Sequence, residues 1–393
     1  MKAFNKKWGL LLIIATAGFL FFLQCKKSPT EPKPDEENCD YEPGNRSFTW
    51  RMDTVAWWPS EVGGVWAFSD NDAYVMGKIL QRKNGNTEHY AGLHWNGTEW
   101  DTEIKDLKGI SENVSEFTDV TGDDHFLAAT GIWGIDNFIY PGIAEFNNST
   151  KNWKSYQFQT EGTLYSVWTD KKGYFIAGGT NGMIYQKDGY DAEWVYSKAP
   201  TDFIIAKISG VSKEEIYILA GINLVTGYSY QQLWKFDGNN WDKLIDNQDT
   251  SNTIIKLPPT IGYLKGMAAF KCPSSDSLQI YIAGNESFII NQNSKTSKYL
   301  VENLIYRGLP LSAQNYGAGR VFLFSPKDCW ITGLQYEIYH WNGDDFQKIE
   351  PIPTLPYGDF TGLAQRMQKT SSGKVWILLE NQSQVYTVLQ GAP

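Results

Sequence analysis

Short apolar runs separated by polar turns recur along most of the chain, and residues 65–100 show the pattern most clearly. The apolar runs lie at 65–68, 73–76, 93–95 and from 99 onward, with a polar insert at 78–91. Residues 69–72 form the first predicted turn. Asn96-Gly97 forms the last, and Asn-Gly between two apolar runs is a strong hairpin signal. The stretch therefore predicts four antiparallel strands joined by turns.

The same order of elements returns six more times along the chain. The first strands of the repeats begin near residues 65, 117, 164, 204, 264, 321 and 363. The spacing of about 40–60 residues is that of propeller blades, in which each repeat is one four-stranded sheet. We therefore predict an all-β fold, a seven-bladed β-propeller spanning residues 47–393.

The two ends of the repeat region complement each other. The seventh repeat stops after three predicted strands, and residues 47–52 form a strand-like piece with a tryptophan and no repeat of its own. If this piece becomes the outermost strand of the last blade, the ring closes and no sheet edge is left open at the seam. We predict closure of the propeller by this N-terminal strand.

Two other architectures would use the same strands, a solenoid and a pair of sandwiches. A solenoid needs capping ends, and the sequence shows none. An aromatic residue, Asn/Asp-Gly and a second aromatic recur at 95–100, 236–241 and 341–346. With strands that end in glycine, this hairpin resembles the WD40/YVTN/BNR-like propeller repeats of bacterial proteins. The resemblance implies the fold and says little of function, since propellers host many activities.

Composition and charge agree with this fold and exclude one class of partner. Aromatic residues make up 15% of the chain, including 16 tryptophans, and flat bulky rings pack well on sheets. The formal net charge is −9. An acidic chain lacks the basic stripe expected of nucleic-acid binding, so we predict no nucleic-acid partner.

The N-terminus predicts an address at a membrane. A basic start and an apolar run over residues 8–23 precede Cys25. Residues 1–24 resemble a bacterial lipoprotein signal peptide, which implies cleavage before Cys25 and lipidation of its thiol. Phe22 and Gln24 depart from the usual leucine and small residue. An uncleaved anchor is the alternative, and both place the remainder outside the cytoplasm, in the periplasm or at the cell surface.

Residues 25–46 predict a disordered tether that holds the propeller off the bilayer. The segment after Cys25 contains four prolines and several charges and almost nothing apolar. Cys39 lies in this tether. Of the other cysteines, Cys272 and Cys329 fall near the same face of neighbouring blades. A disulfide between them is one expectation and two buried thiols the other, in a compartment that permits disulfides.

Few residues indicate chemistry. His94 and His340 occupy the same repeat position, which predicts a scaffold role. The acids at the first turns fit turns stabilised by side chains better than calcium ligands. No spacing indicates a transition-metal site, a cofactor or a catalytic nucleophile. We expect a binding protein; a polysaccharide hydrolase or lyase is the alternative, with Glu61, Glu116 and Arg320 as its candidate residues.

One face of the predicted propeller is richer in aromatic residues than the other. It carries the loops between second and third strands and the connections between blades, around the mouth of the central channel. Its aromatic candidates for ligand binding are Trp57, Trp58, Trp133, Phe138, Tyr140, Tyr228, Tyr230, Tyr263, Tyr316, Tyr336 and Tyr357. Its polar candidates are Glu61, Glu116, Glu161, Asp202, Arg320 and Asp359. The alternative for any one ring is that it fills a gap between blades.

These observations predict a lipid-anchored extracytoplasmic scaffold that binds a ligand at the aromatic face. Rigid rings with a polar edge suit both sugars and peptide side chains. A glycan or a protein of the cell envelope is therefore the expected partner, together with the membrane through the N-terminal lipid. An assembly factor that holds other envelope proteins would instead show a contiguous apolar patch on one blade edge.

Overall fold

The computed structural model consists of seven antiparallel four-stranded sheets. It describes residues 41–83, 86–101, 114–135, 138–222, 230–247, 253–255, 264–273, 276–284, 287–292, 298–304, 309, 320–333, 337–349, 362–381 and 385–393. Cys25, Cys39, Tyr228, Tyr263, Tyr316, Tyr336, Tyr357 and Asp359 lie outside these residues, as does the predicted signal peptide. No helix among the described residues is long and apolar enough to cross a membrane.

The seven sheets follow one another along the chain, and each runs from an innermost to an outermost strand. Blades 1 and 2 comprise β2 (Glu61–Ser69), β3 (Asp72–Lys83), β4 (Asn86–Trp95), β5 (Trp100–Asp101), β6 (Val114–Gly122), β7 (Phe126–Ile135), β8 (Phe138–Asn147) and β9 (Asn152–Gln157). Blades 3 and 4 comprise β10 (Leu164–Thr169), β11 (Tyr174–Gly179), β12 (Met183–Asp188), β13 (Val195–Lys198), β14 (Ile204–Ser212), β15 (Glu215–Gly221), β16 (Gln231–Phe236) and β17 (Trp241–Asp246).

The remaining blades repeat this order. Blades 5 and 6 comprise β18 (Leu264–Lys271), β19 (Leu278–Gly284), β20 (Phe288–Gln292), β21 (Tyr299–Asn303), β22 (Val321–Ser325), β23 (Asp328–Thr332), β24 (Ile338–Trp341) and β25 (Phe346–Lys348). Blade 7 comprises β26 (Gly362–Lys369), β27 (Val375–Asn381), β28 (Tyr386–Ala392) and, outermost, β1 (Thr49–Ala56).

The ring closes through β1, as predicted. β1 pairs antiparallel with β28, from Thr49 opposite Ala392 to Ala56 opposite Tyr386. Seven apolar clusters fill the described core, one between each pair of neighbouring blades. The cluster between blades 7 and 1 includes Trp376 and Trp95, whose ring centres are 6.1 Å apart. The predicted all-β seven-bladed propeller is therefore confirmed.

Two predicted loops are instead extensions of strands. The polar insert at 78–91 continues β3 and β4 outward, and Ile79 and Tyr90 within it are buried. In blade 2, β7 and β8 also run past the glycines expected to end them, so Trp133 lies opposite Tyr140 in the sheet. Cross-strand pairing satisfies the backbone in both extensions, and their buried rings contribute to the core.

The two faces of the ring can be distinguished by their connections. The mouth face carries the loops between second and third strands and the connections between blades. The turn face carries the short turns between first and second and between third and fourth strands. Residues 41–48, which we call the strap, lie along the turn face and lead into β1. Tyr41 packs edge-on against Phe270 with ring centres 5.4 Å apart, and the Gly44 amide donates to the Lys327 carbonyl at 2.9 Å.

The strap corrects the predicted boundary of the tether. Arg46 forms an ion pair with Asp345 at 2.9 Å, and its guanidinium also donates to the His340 carbonyl at 3.0 Å. Residues 41–46 therefore pack against the propeller rather than belonging to a disordered tether. Tyr41 makes the first of the described contacts with the propeller.

The cysteines also differ from one expectation. Cys272 is bonded in a disulfide, whereas Cys329 is a buried thiol outside any disulfide. The predicted bond between Cys272 and Cys329 is therefore wrong. Cys329 lies on β23, packed within the apolar cluster between blades 5 and 6, so its thiol is enclosed by that core.

Candidate functional site

A cavity of about 500 Å³ opens at the mouth face, where the innermost strands begin. Its wall comes from all seven blades, and its polar lining includes Glu61, Glu116, Thr118, Tyr165, Gln231, Arg320, Gln365, Arg366, Glu380 and Tyr386. This volume lies within the range of small-ligand sites. We call it the mouth cavity.

A repeated β-bulge supplies much of this lining. In six blades the pairing of the innermost strand skips one residue near its start, at Gly63, Thr118, Tyr165, Ala206, Lys265 and Gln365. A bulged residue is left out of the ladder, and a bulge re-aims its side chain. All of these except Lys265, whose side chain is not described, line the mouth cavity.

The bulge positions are alike in geometry and unlike in chemistry. The residues just before each bulge are apolar in every case, from Val62 to Ala364. The bulged residues themselves are glycine, threonine, tyrosine, alanine, lysine and glutamine. The fold repeats the bulge in these blades but does not require a particular side chain there. The side chain at each bulge can therefore be selected to suit a ligand. The bulges therefore form a ring of variable groups on a constant frame.

An ion cluster that we call the floor lies at the base of the mouth cavity; Arg366 lines this cavity, and Asp119 and Lys207 line the second cavity beyond it. Arg366 of blade 7 donates from Nε to Oδ1 of Asp119 in blade 2 at 2.7 Å. Lys207 of blade 4 lies 3.3 Å from the other carboxylate oxygen. Arg366 also donates to the Thr118 carbonyl at 2.9 Å. The cluster crosses the channel and separates the mouth cavity from a second cavity of about 610 Å³ toward the turn face.

The floor holds one carboxylate, Asp119, between two cations, Arg366 and Lys207. Burial alone would raise the pKa of Asp119, but Arg366 and Lys207 lower it below its ordinary value. Burial lowers the pKa of Lys207 to about 8, although Asp119 opposes the change. Asp119 also accepts the Val167 amide of blade 3 at 3.2 Å. The floor thus joins four blades around one buried carboxylate.

The wall of the cavity carries charges of both signs on different blades. Burial, and then the neighbouring Glu61 carboxylate, raise the pKa of Glu116, while Lys78 acts in the opposite direction. On blades 6 and 7, Arg320 donates to Gln365 at 3.1 Å, and Gln365 donates to Glu380 at 2.6 Å. The wall therefore offers carboxylates at blades 1 and 2 and a guanidinium at blade 6.

Apolar side chains are exposed in the connections of the mouth face, which we call the rim, and one of them, Ile222, also lines the cavity. Trp58 is 67% exposed and Trp57 36%, in the connection from β1 to β2. Their loop is held in place by Ser60, whose hydroxyl accepts the Leu80 amide at 2.9 Å. Ile222 and Tyr230 are exposed on either side of the loop in blade 4. The rim thus has fixed apolar contact points around a polar cavity.

Apart from Trp133 and Tyr140, the predicted ligand residues fall into three groups. Glu61, Glu116 and Arg320 line the mouth cavity, and Trp57, Trp58 and Tyr230 are exposed on its rim. Glu161 and Asp202 are exposed on the mouth face outside the cavity lining. The third group consists of the candidates outside the described residues, together with Phe138, whose side chain is not described.

The prediction for one aromatic residue, Trp133, is corrected. Trp133 is 2% exposed and packs edge-on against Phe117, with ring centres 6.0 Å apart. Tyr140 is half-buried beside the same cluster. Both rings lie on the strands that extend past the expected loop and pack in the interface of blades 1 and 2, where Trp133 is closed to a ligand and Tyr140 is partly covered.

The scaffold role predicted for the histidines agrees with their contacts. His94 bonds to Asp72 and His340 to Asp328, each at 2.9 Å, and each ring stacks on an aromatic residue of the neighbouring strand. The turn acid Asp123 accepts the amides of His125 and Phe126, each at 2.8 Å. Among the described residues, no three His, Cys, Asp or Glu side chains form a metal-ligand cluster.

Sequence reasoning missed the floor and the bulged residues. Asp119, Lys207 and Arg366 share one position, immediately after the bulge on three innermost strands. A charged residue within an apolar innermost strand is the signal that could have found them. The bulged residues have no such signal, because their side chains share no chemical property.

The architecture defines the class of protein, a seven-bladed β-propeller, and comparison with solved structures agrees. YCF48 bound to D1 peptide matches with a TM-score of 0.58 and 12% identity over 90% of this chain and 98% of that one. The WD40 propeller domain of Doa1 matches with a TM-score of 0.50 and 12% identity, over 87% and 97%. At this identity the likeness concerns the fold alone. No protein-family model and no curated protein matches the sequence.

Proposed function

We propose that this protein is a lipid-anchored, extracytoplasmic binding scaffold that takes a segment of a partner protein into the mouth cavity. The observation that carries the proposal is the ring of bulged residues around a cavity with a charged floor. A rigid frame with variable, inward-facing groups is an arrangement for recognition, because it holds polar contacts without ordering loops. YCF48, whose fold is similar, was solved with a peptide, which supports a peptide as the ligand.

The chemistry of the cavity favours a protein segment over a glycan. A peptide offers cationic side chains to Glu61 and Glu116, carboxylates or carbonyls to Arg320, and apolar side chains to Trp57 and Trp58 on the rim. A neutral glycan would bring no cation to the neighbouring carboxylates Glu61 and Glu116, and covering two like charges without one is costly.

The site can be tested with peptides selected from a phage-displayed random dodecapeptide library on the full-length protein. For peptides that bind at the mouth, we expect Tyr165→Ala and Arg320→Ala each to weaken binding about tenfold, as for contact residues worth more than 1 kcal/mol. Lys172→Ala, in an exposed turn of the same blade as Tyr165, is the matched control. Selected peptides that lose affinity only with the turn-face change would contradict the proposal, as would a failure to select any.

The anchor needs a separate test. We expect the wild-type chain to partition with the membrane fraction and to incorporate labelled fatty acid, and the Cys25→Ser variant to incorporate none. Fatty-acid label that persists in this variant would contradict lipidation at Cys25. Membrane retention of an unlabelled wild-type chain would instead favour an uncleaved anchor.

A hydrolase remains a second candidate because of one observation. Glu116 has a raised pKa beside a second carboxylate, Glu61, and such pairs serve in glycoside hydrolysis. Activity on envelope polysaccharides that is abolished by Glu116→Gln and by Glu61→Gln would support it. Peptide binding without any such activity would favour the scaffold.

A further inference from the structure

The floor carries one more positive charge than negative. Arg366 and Lys207 face a single carboxylate, that of Asp119. The same position after the bulge carries an uncharged residue in three other blades: Gly64, Ser166 and Gly266. Burial makes a charge without a counter-charge costly, so the surplus cation on the axis needs an explanation.

Lys207 is the cation whose hydrogen bonds are least complete. Arg366 donates to Asp119 at 2.7 Å and to the carbonyls of Thr118 and Gln365 at 2.9 and 2.8 Å. For the ammonium of Lys207, the one acceptor among the described residues is Oδ2 of Asp119, at 3.3 Å. An ammonium has three N–H donors, so two of them are left for a group that is not part of the described protein.

The electrostatics of Lys207 agree with this count. Burial lowers the pKa of its ammonium to about 8 against the attraction of Asp119, and the guanidiniums of Arg366 and Arg320 act in the same direction as burial. An anion beside Lys207 would oppose both influences. The ammonium therefore lies where one more negative charge is stabilising.

The side chain of Lys207 is open to the second cavity, which we call the turn cavity. It is 21% exposed and lines this space of about 610 Å³, together with Arg366 and Asp119. The volume lies within the range of small-ligand sites. Much of the remaining lining is apolar and comes from several blades, including Trp168, Ile208, Met267, Phe270, Phe322 and Met367.

The other carboxylates that line the turn cavity have partners of their own. Glu215 forms ion pairs with Lys235 at 2.8 Å and with Lys271 at 3.2 Å. Asp276 lies 3.4 Å from Lys271. Asp170 accepts two backbone amides of its own turn, at 2.7 and 3.1 Å. None of these pairs supplies a negative charge to Lys207.

We infer that the turn cavity binds a small organic carboxylate, whose charged end meets Lys207 and Arg366 at the floor and whose apolar body lies against the aromatic lining. Two cations then face two carboxylates, one from Asp119 and one from the ligand. The inference is independent of the proposed function, because the mouth cavity lies on the other side of the floor.

The chemistry of the lining selects this class of ligand. A cationic ligand would add to the surplus positive charge. An inorganic anion would satisfy the ammonium but would leave the apolar lining in contact with water, whereas an apolar body removes that surface from water. A site with a few placed charges and a largely apolar wall is the usual form of a pocket for small organic molecules.

Titration calorimetry of the full-length protein with acetate, hexanoate and 3-phenylpropionate tests the ligand class. We expect hexanoate and 3-phenylpropionate to bind, and acetate to bind at least about tenfold more weakly, because it buries little apolar surface. The amide of each acid should bind about tenfold more weakly than the acid, since it loses the charge-assisted hydrogen bond. Amides that bind as tightly as the acids, or a failure of all three acids to bind, would overturn the inference. Inorganic phosphate that binds as tightly as 3-phenylpropionate would also overturn it.

Two matched substitutions test the position of the carboxylate. Lys207→Met removes the ammonium and keeps an unbranched side chain, so we expect it to weaken 3-phenylpropionate binding about tenfold and to remove the preference over the amide. Lys171→Met, at an exposed lysine that lines the turn end of the same cavity, is the control and should keep both. Equal losses in the two variants, or a loss in Lys171→Met alone, would contradict a site at the floor. The comparison of acids with amides uses the wild type and decides the ligand class even if Lys207→Met does not fold.

Discussion

At the scale of single residues, the stability of the propeller is sensitive to the buried charges at its axis. The ring of the propeller has little freedom at its axis, where Asp119, Lys207 and Arg366 meet in a space largely closed to water. Attraction between such charges only offsets the loss of hydration when the set is complete. Removing one member is therefore more damaging than replacing the whole cluster.

We expect Asp119→Asn to lower the free energy of unfolding by about 3 kcal/mol, since it leaves two cations facing each other without a carboxylate. Urea unfolding followed by tryptophan fluorescence measures the change. Asp202→Asn, which removes an exposed ion pair with Lys198, should leave the midpoint unchanged. Equal effects of the two substitutions would show that the floor is solvated and not a buried cluster.

Glu116 gives a pH dependence of the opposite sign to that of a paired acid. Its folded-state pKa is raised above the ordinary 4.5, so the folded state binds the proton more tightly than the unfolded state does. Stability is then greatest below pH 4.5 and is lost as the pH rises through the folded-state pKa. We expect Glu116→Gln to raise the Tm at pH 7 and to have no effect at pH 4.

The comparison is made by differential scanning fluorimetry at both pH values. Glu161→Gln, an exposed acid on the same face, is the control and should change neither Tm. A lower Tm for Glu116→Gln at pH 7 would mean that the charged carboxylate has a stabilising partner. The wall of the cavity around Glu116 would then not carry an excess of negative charge.

At the scale of elements, the side chains on one face of β1 hold this closing strand against the rest of the propeller. Trp50 packs against Phe48, with ring centres 5.2 Å apart, and against the apolar cluster of blades 6 and 7. Gly391 is the residue paired with it, and a Cβ at that position would overlap the Trp50 ring. The fit is therefore reciprocal, a large ring over a residue without a side chain.

We expect Trp50→Ala to cost about 3 kcal/mol of unfolding free energy, because a partly buried large ring is removed from a packed interface. Chemical denaturation measures this cost. Thr49→Ala, the exposed neighbour on the same strand, should cost less than about 0.5 kcal/mol. A cost for Trp50→Ala no larger than that of the control would show that β1 contributes pairing but not packing.

At the scale of the whole molecule, closure makes seven similar sheets into one cooperative body. We expect a chain of residues 57–393 to aggregate or to unfold over a broad range of urea, since β28 becomes an open edge with unpaired backbone groups. A chain of residues 47–393 keeps β1 and should unfold in one transition. Size-exclusion chromatography and urea unfolding distinguish the two, and a monomeric, cooperative 57–393 chain would contradict the role of β1.

The repeats were predictable because they rest on local signals. Alternating apolar runs, Asn-Gly hairpins and the spacing of first strands fix the number of blades, and the unmatched strand at residues 47–52 fixes the closure. The strand extensions were missed because Trp133 and Tyr140 follow glycines that end the equivalent strands elsewhere. Only the neighbouring blade, against which these rings pack, decides that the strands continue.

The site was predictable in outline and not in detail. Glu61, Glu116 and Arg320 stand at the entrances of innermost strands, and that position alone places them at the mouth. Tyr165 and Gln365 stand at the bulge, which lies two residues beyond the position of Glu61 and Glu116 in their own strands, and the bulge sets the direction of their side chains. A bulge follows from how two strands pair, which a single strand's sequence does not state.

The sequence by itself determined the architecture, because period-two patterning and turn chemistry act within a few residues. The tertiary structure alone decided which charges meet across the axis and which rings are buried. These depend on segments far apart in the chain, such as Asp119 and Arg366, brought together only when the ring closes. Local pattern specifies the blades, and the circular packing of the blades creates the cavity.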